Sequence, residues 1–254
     1  MTRLTALALL APAALLLSAC QLVPGTGGGP VLAGAGNAPT YGTAANGPAT
    51  RIPVAPRTTA QRSMASLAAP AVSPLAAQCM SQLSQAGARF EPVADQDHGG
   101  GCSTLGSVQM HALAGDNGVL SIANIGPVTC PVSAAFAAWA RYGVDRAARQ
   151  VFGQGVASIQ TMGSYACRNV AGSNRRSAHA RADAIDIAGF VLEDGRRITV
   201  TDGWDGSARE RRFLRAVQRS ACRRFGTVLG PDYNSAHDDH FHLEGVIEGT
   251  SFCR

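Results

Sequence analysis

Large apolar residues crowd the first twenty positions of this 254-residue chain, thin out over the next fifty, and become periodic from about residue 73 onward. The opening run, MTRLTALALLAPAALLLSAC, has one early cation, Arg3, then an apolar stretch and small residues ahead of Cys20. It reads as a secretory signal over residues 1–19, because the run stops at a cleavage-like site and a Gly/Pro-rich segment follows. Residues 20–72 are rich in Gly, Pro, Ala and Thr with almost nothing large to bury. Such a composition does not offset the entropy of ordering, so this segment is expected to be an extended tether.

Periodicity predicts the elements of the remainder. AAQCMSQLSQAG predicts a short helix ending at Gly87. CPVSAAFAAWARYGVDRAARQVFG predicts a longer helix, with Pro131 near its first position, Phe136, Trp139, Ala140 and Val144 on one face, and a stop at Gly153. ASIQTMGSYACR reads as a strand running into a loop, and AIDIAGFVL-EDG-RRITV as a hairpin turning at Asp194-Gly195. SARERRFLRAVQRSACRRFG is an amphipathic pattern with Phe213, Leu214, Val217 and Cys222 inward, ending at Gly226, and HFHLEGVI closes as a strand. Helices followed by paired strands predict a single α+β domain over 73–254, a small, mostly antiparallel sheet with flanking helices.

Composition sharpens this in two ways. The net charge of +5 comes entirely from arginine, since the chain contains no lysine. A basic exported domain can favour an acidic polymer, and cell-wall peptides carry free carboxylates. Nucleic acid is not expected as a partner, since no binding motif is present. Besides Cys20 there are six cysteines: Cys79, Cys102, Cys130, Cys167, Cys222 and Cys253. An even set in an exported chain predicts three disulfides of open connectivity, and no two cysteines have the CxxC-like spacing of a thiolate zinc site.

Two stretches carry the candidate chemistry: SAHARADAIDIAGF, residues 177–190, and HDDHFH, residues 237–242. Strand alternation puts His240 and His242 on one face and sends Phe241 to the core or the opposite face. Asp186 shares a face with Ala184 and Ala188, whose small side chains leave room for an ion and a substrate, while Asp183 lies on the other side. His179, in the loop ahead, can swing back over that strand. Two imidazoles and one carboxylate on neighbouring strands form a three-ligand site with an open fourth position, the arrangement of catalytic zinc. Calcium through Asp238 and Asp239 would have too few oxygens. Glu244 and Asp183 are expected to orient imidazoles or to make salt bridges. His98 and His111 read as surface residues, and Trp204 as either a substrate wall or a cap on the core.

Resemblances add the finer expectations. LSAC, residues 17–20, resembles the bacterial lipobox, which implies acylation of Cys20; Gln21 in place of an aspartate implies the outer membrane, facing the periplasm. Ser177, His179, Ala184 and Asp186, as SxHxxxxAxD, followed by HxH, resemble the zinc peptidases of the D-Ala-D-Ala carboxypeptidase and penicillin-insensitive murein endopeptidase group, which share a fold with hedgehog signalling domains. The run from about Cys79 to Cys253, with YACR and FLRAVQRSACRRFGTVLGPDYNSAHDDHFHLE, resembles the bacterial extensin-like C-terminal domain family. The resemblance implies zinc held by His179, Asp186 and His242, His240 as general base or transition-state stabiliser, and substrate contacts from His237 and from Arg168 in the YxxR of Tyr165. Many of the carboxypeptidases have glycine at the position of Ala182, where alanine fits so long as φ is negative. The function implied is hydrolysis of peptidoglycan peptide amide bonds. The alternative is a non-catalytic envelope lipoprotein that only binds peptidoglycan.

Overall fold

The structure, a computed structural model, describes residues 73–254; the signal peptide expected over 1–19, Cys20 and the tether of 20–72 lie outside the described residues. Helix α1 (Pro74–Gln85) begins at Ser73, whose hydroxyl accepts the Ala76 N–H, with proline in the first turn where no N–H is needed. Six short strands follow: β1 (Arg89–Pro92), β2 (Asp97–Gly99), β3 (Cys102–Ser103), β4 (Ser107–Ala114), β5 (Val119–Ala123) and β6 (Pro127–Thr129). Hydrophobic pattern assigns none of them. The run expected to be one helix over 130–153 is helical throughout, but in three pieces: α2 (Cys130–Trp139), a π-helical stretch (Ala140–Asp145) and α3 (Arg146–Phe152), ending on left-handed Gly153. Buried Asp145, in the π stretch, accepts the N–H groups of Asp116 and Val156, each at 3.1 Å, and so ties the helices to the sheet.

Next come β7 (Val156–Gly163), β8 (Ala184–Leu192) and β9 (Arg197–Thr199), the last two forming the expected hairpin, then α4 (Val200–Gly203) and α5 (Ala208–Ala221). Helix α5 carries a capping box: Ser207 Oγ accepts the Glu210 N–H and the Glu210 carboxylate accepts the Ser207 N–H. It ends at Ala221, five residues before the Gly226 stop that the sequence predicts. A turn intervenes, and Gly226 lies inside β10 (Phe225–Leu229), because Phe225 and Val228 turn into the core. Strands β11 (Phe241–Val246) and β12 (Phe252–Cys253) complete the domain.

The fold is α+β, but its sheet is not small. Ten strands join in the order β1-β4-β5-β7-β8-β11-β10-β12, with β6 added on β4 and β9 on β8, while β2 and β3 pair separately. Only β5–β7 and β10–β12 run parallel, so the sheet is mixed and mostly antiparallel. Phe136, Trp139, Phe190, Phe213, Phe225 and Phe241 are fully buried between the sheet and helices α2 and α5. Each such side chain contributes roughly 1.5–3 kcal/mol. All six predicted cysteines are bridged. Cys79–Cys130 joins α1 to α2, Cys102–Cys167 joins β3 to the segment after β7, and Cys222–Cys253 joins the end of α5 to β12.

Candidate metal centre

Strand register brings the two sequence stretches together. Asp186 of β8 lies directly opposite His242 of β11 on one side and opposite Gly163 of β7 on the other. Ile185, Ile187, Phe241 and Leu243 alternate with Asp186 and His242 and fill the core, so the two polar residues project from the opposite face. Gly163 offers no side chain there, and at φ 116 it lets β7 leave the sheet. The chain returns through the 3-10 turn Ala178–Arg181, capped by Ser177, and lays His179 over the gap. Ala182 closes that turn at φ 55. The loop therefore takes the left-handed conformation, the case in which alanine is not freely accommodated, and holds alanine where glycine is the less strained residue.

The contacts are short and mutual. His179 Nε2 is 3.1 Å from Asp186 Oδ2, His242 Nδ1 is 2.9 Å from Asp186 Oδ1, and the two imidazole nitrogens are 3.2 Å apart. A tetrahedral cation with bonds of about 2.0–2.1 Å requires donor separations of about 3.3 Å, so the three donors suit an ion such as zinc. Each ring is fixed from behind. His179 Nδ1–H donates to the Ser164 carbonyl at 2.7 Å, and His242 Nε2–H donates to Glu244 at 3.1 Å, which leaves His179 Nε2 and His242 Nδ1 facing the site. Side-chain exposures of 3, 13 and 10 % for His179, Asp186 and His242 make the site dry but reachable.

Electrostatics follow from that packing. Burial resists ionisation of Asp186, but the hydrogen bonds from His179 and His242 outweigh it and hold the carboxyl far below its ordinary range. Burial likewise opposes charge on His242, yet Asp186 and Glu244 together raise its pKa to about 9. His237, desolvated and close to the His240 and His242 rings, is pushed down to about 4.

The remaining candidates separate. His240 sits at the threshold of β11 rather than within it, Nδ1–H donating to Asp239 at 2.7 Å and Nε2 lying 3.6 Å from Asp186 Oδ1. His237 is held by Asn234 Oδ1 at 2.7 Å. Arg168, His237, His240 and His242 line one cleft of about 450 Å³, with Arg175, Tyr233 and Phe252. Asp183 is a correction: it touches no imidazole, and Thr129 Oγ1 donates to it instead at 3.1 Å. Trp204 caps the core; it packs edge-on against Phe241 and its Nε1–H donates to Asp232 at 2.9 Å. His98 and His111 are exposed, as expected, with His98 against Tyr165.

The family model for the extensin-like protein C-terminus matches residues 77–254. The chain belongs to that family. The match runs from within α1 through β12 and includes His179, Asp186, His242 and all six bridged cysteines. No curated protein and no solved structure matches the chain. Within the extensin-like domain, sequence reasoning misses Ser164, Asn234, Arg175, Tyr233 and Phe252. The PDYN turn is the only local signal for any of them; the Ser164 contact is made by a backbone carbonyl, which leaves no trace in residue type.

Proposed function

We propose that this extensin-like protein is a zinc-dependent hydrolase of peptidoglycan peptide amide bonds, with a hedgehog/DD-peptidase-like domain, exported and tethered to the outer membrane through an acylated Cys20. The observation that carries the reading is the convergence of His179, Asp186 and His242, each ring fixed by an outer partner, on the wall of an open cleft. A bound zinc ion would supply Lewis acidity, polarising the scissile carbonyl and acidifying a water. The protein's own groups would do the rest. His240, its Nδ1–H committed to Asp239, presents a free Nε2 to accept the water's proton and return it to the leaving amine. Arg168 and Arg175 place positive charge in the cleft, suited to the free carboxylates of a stem peptide. Three disulfides fit an oxidising envelope compartment.

Incubating zinc-loaded protein with purified sacculi and analysing the soluble muropeptides tests this. New peptide-cleaved muropeptides, abolished by chelator and restored by zinc, are expected. Tight binding to sacculi with no new product would replace the hydrolase with the peptidoglycan-binding lipoprotein. Replacing Cys20 by Ser should move the protein out of the detergent phase on partitioning; unchanged partitioning would refute the lipid anchor.

A further inference from the structure

Helix α5 has a second face that the cleft does not use. Its inner face, Phe213, Leu214 and Val217, is buried in the core that fills the side of β8 and β11 opposite Asp186 and His242. On the outer face, helical spacing aligns Arg209, Arg212, Arg215, Arg219 and, in the following turn, Arg223. The row runs about 21 Å at 1.5 Å per residue. Four of the five are exposed and Arg215 is partly so. The one acid in the helix, Glu210, is committed to the capping box. Of these five arginines, only Arg215 makes an ion pair among the described residues, with Asp232; Arg223 donates to the Arg219 carbonyl, and Arg209, Arg212 and Arg219 meet no carboxylate there.

Apart from Arg215, the guanidinium groups of this row stand on a solvated face without a counter-charge. We infer that the outer face of α5 docks on an anionic phospholipid surface, its arginines bonding headgroup phosphates. Arginine's planar fork suits phosphate in two-point contact, and the chain uses arginine alone for its cations. Trp204, the aromatic ring that meets this row, is buried beneath the Arg215 guanidinium at 3.6 Å and offers no open face for base stacking. The row therefore suits a charged surface rather than a nucleic-acid strand, which needs stacking rings. No apolar residue larger than Ala216 lies among these arginines, so the docking is electrostatic and salt-sensitive, without insertion. Because α5 covers the core side of the sheet, docking would turn the cleft away from the bilayer. Docking of this kind requires neither the metal centre nor acylation of Cys20.

The test uses the full chain with Cys20→Ser, which removes any acyl anchor, and vesicles of neutral phosphatidylcholine with or without phosphatidylglycerol. Cosedimentation should be much stronger on the anionic vesicles and fall steeply between low and physiological salt. Each arginine near an anionic surface strengthens partitioning by about fivefold, so the variant R209Q/R212Q/R219Q/R223Q should lose nearly three orders of magnitude. Its circular dichroism and melting should match the parent, since none of the four side chains packs in the core. Equal partitioning on both vesicle types, or anionic binding unchanged in the quadruple variant, would overturn the inference. So would binding of a soluble polyanion such as heparin without binding of anionic vesicles.

Discussion

His242 is gripped at both ring nitrogens, by Asp186 at 2.9 Å and by Glu244 at 3.1 Å, and these carboxylates raise its pKa to about 9 against the cost of burial. A metal at Nδ1 must displace the proton there. Zinc binding at neutral pH should therefore release close to one proton per ion, measured by calorimetry in buffers of different ionisation enthalpy. Absence of proton release would mean that His242 is not a ligand. His240 has the complementary prediction: alanine there should leave the fold intact but slow muropeptide release roughly 10²–10⁴-fold, the usual weight of one acid–base group. Ala182 holds φ 55 with its methyl buried. Replacement by Gly relieves about 1 kcal/mol of left-handed cost but removes a buried methyl worth roughly as much, so melting should change little. Val at that position should destabilise by roughly 2–5 kcal/mol, because branching adds strain to overpacking. Residue types and spacing make His179, Asp186, His240 and His242 legible in the amino-acid sequence. Alternation pairs His240 with His242 and Asp186 with Ala184 and Ala188, but it leaves open which face meets the core. What fixes these residues is not legible in the sequence, because the Ser164 carbonyl and Gly163 act through backbone position.

Between elements, the cleft depends on segments that carry little secondary structure. The loop after β7 presents Arg168 beside Cys167, whose bridge to Cys102 fastens it to β3, and Arg176 donates to the Gly100 carbonyl at 2.6 Å from the same loop. The paired replacement Cys102→Ser/Cys167→Ser should cost roughly 2–5 kcal/mol, the span for native bridges in secreted domains, read from denaturant midpoints. At α5, Ser207→Ala removes one half of the capping box and should cost about 1 kcal/mol. The helices are readable because α1, the 130–153 run and α5 each give a periodic apolar face. The strands before α2 are not. β2, β3 and β6 span two or three residues, too few for a period-2 pattern to stand out, and glycines at 99–101 and 106 break the run. Even β4 gives no clean alternation: Val108, Met110 and Ala112 turn inward, but Ser107 and Leu113 are buried as well. Without such alternation, a ten-stranded sheet reads as a small one. The early end of α5 has a similar cause: Arg223 and Arg224 continue a helical composition, and only tertiary burial of Phe225 and Val228 commits the chain to a strand.

Across the whole molecule, three bridges with sequence separations of 51, 65 and 31 close loops over residues 79–167 and 222–253 and leave β8, β9, α4 and α5 to be held by packing. Alkylation of denatured, unreduced protein should label no cysteine other than Cys20, and labelling of two or more would contradict the pairing. The sheet then acts as a divider: core and helices on one face, the His179–Asp186–His242 group and the cleft on the other. The central claim is that His179, Asp186 and His242 bind one zinc ion while His240 stands beside it. Metal analysis of protein purified without chelator, as wild type and as the His240→Ala and His242→Ala variants, tests that claim most directly. One equivalent of zinc in wild type and in His240→Ala, with loss in His242→Ala, is the expected result. No stoichiometric metal in the wild type, or zinc kept by His242→Ala and lost by His240→Ala, would contradict it.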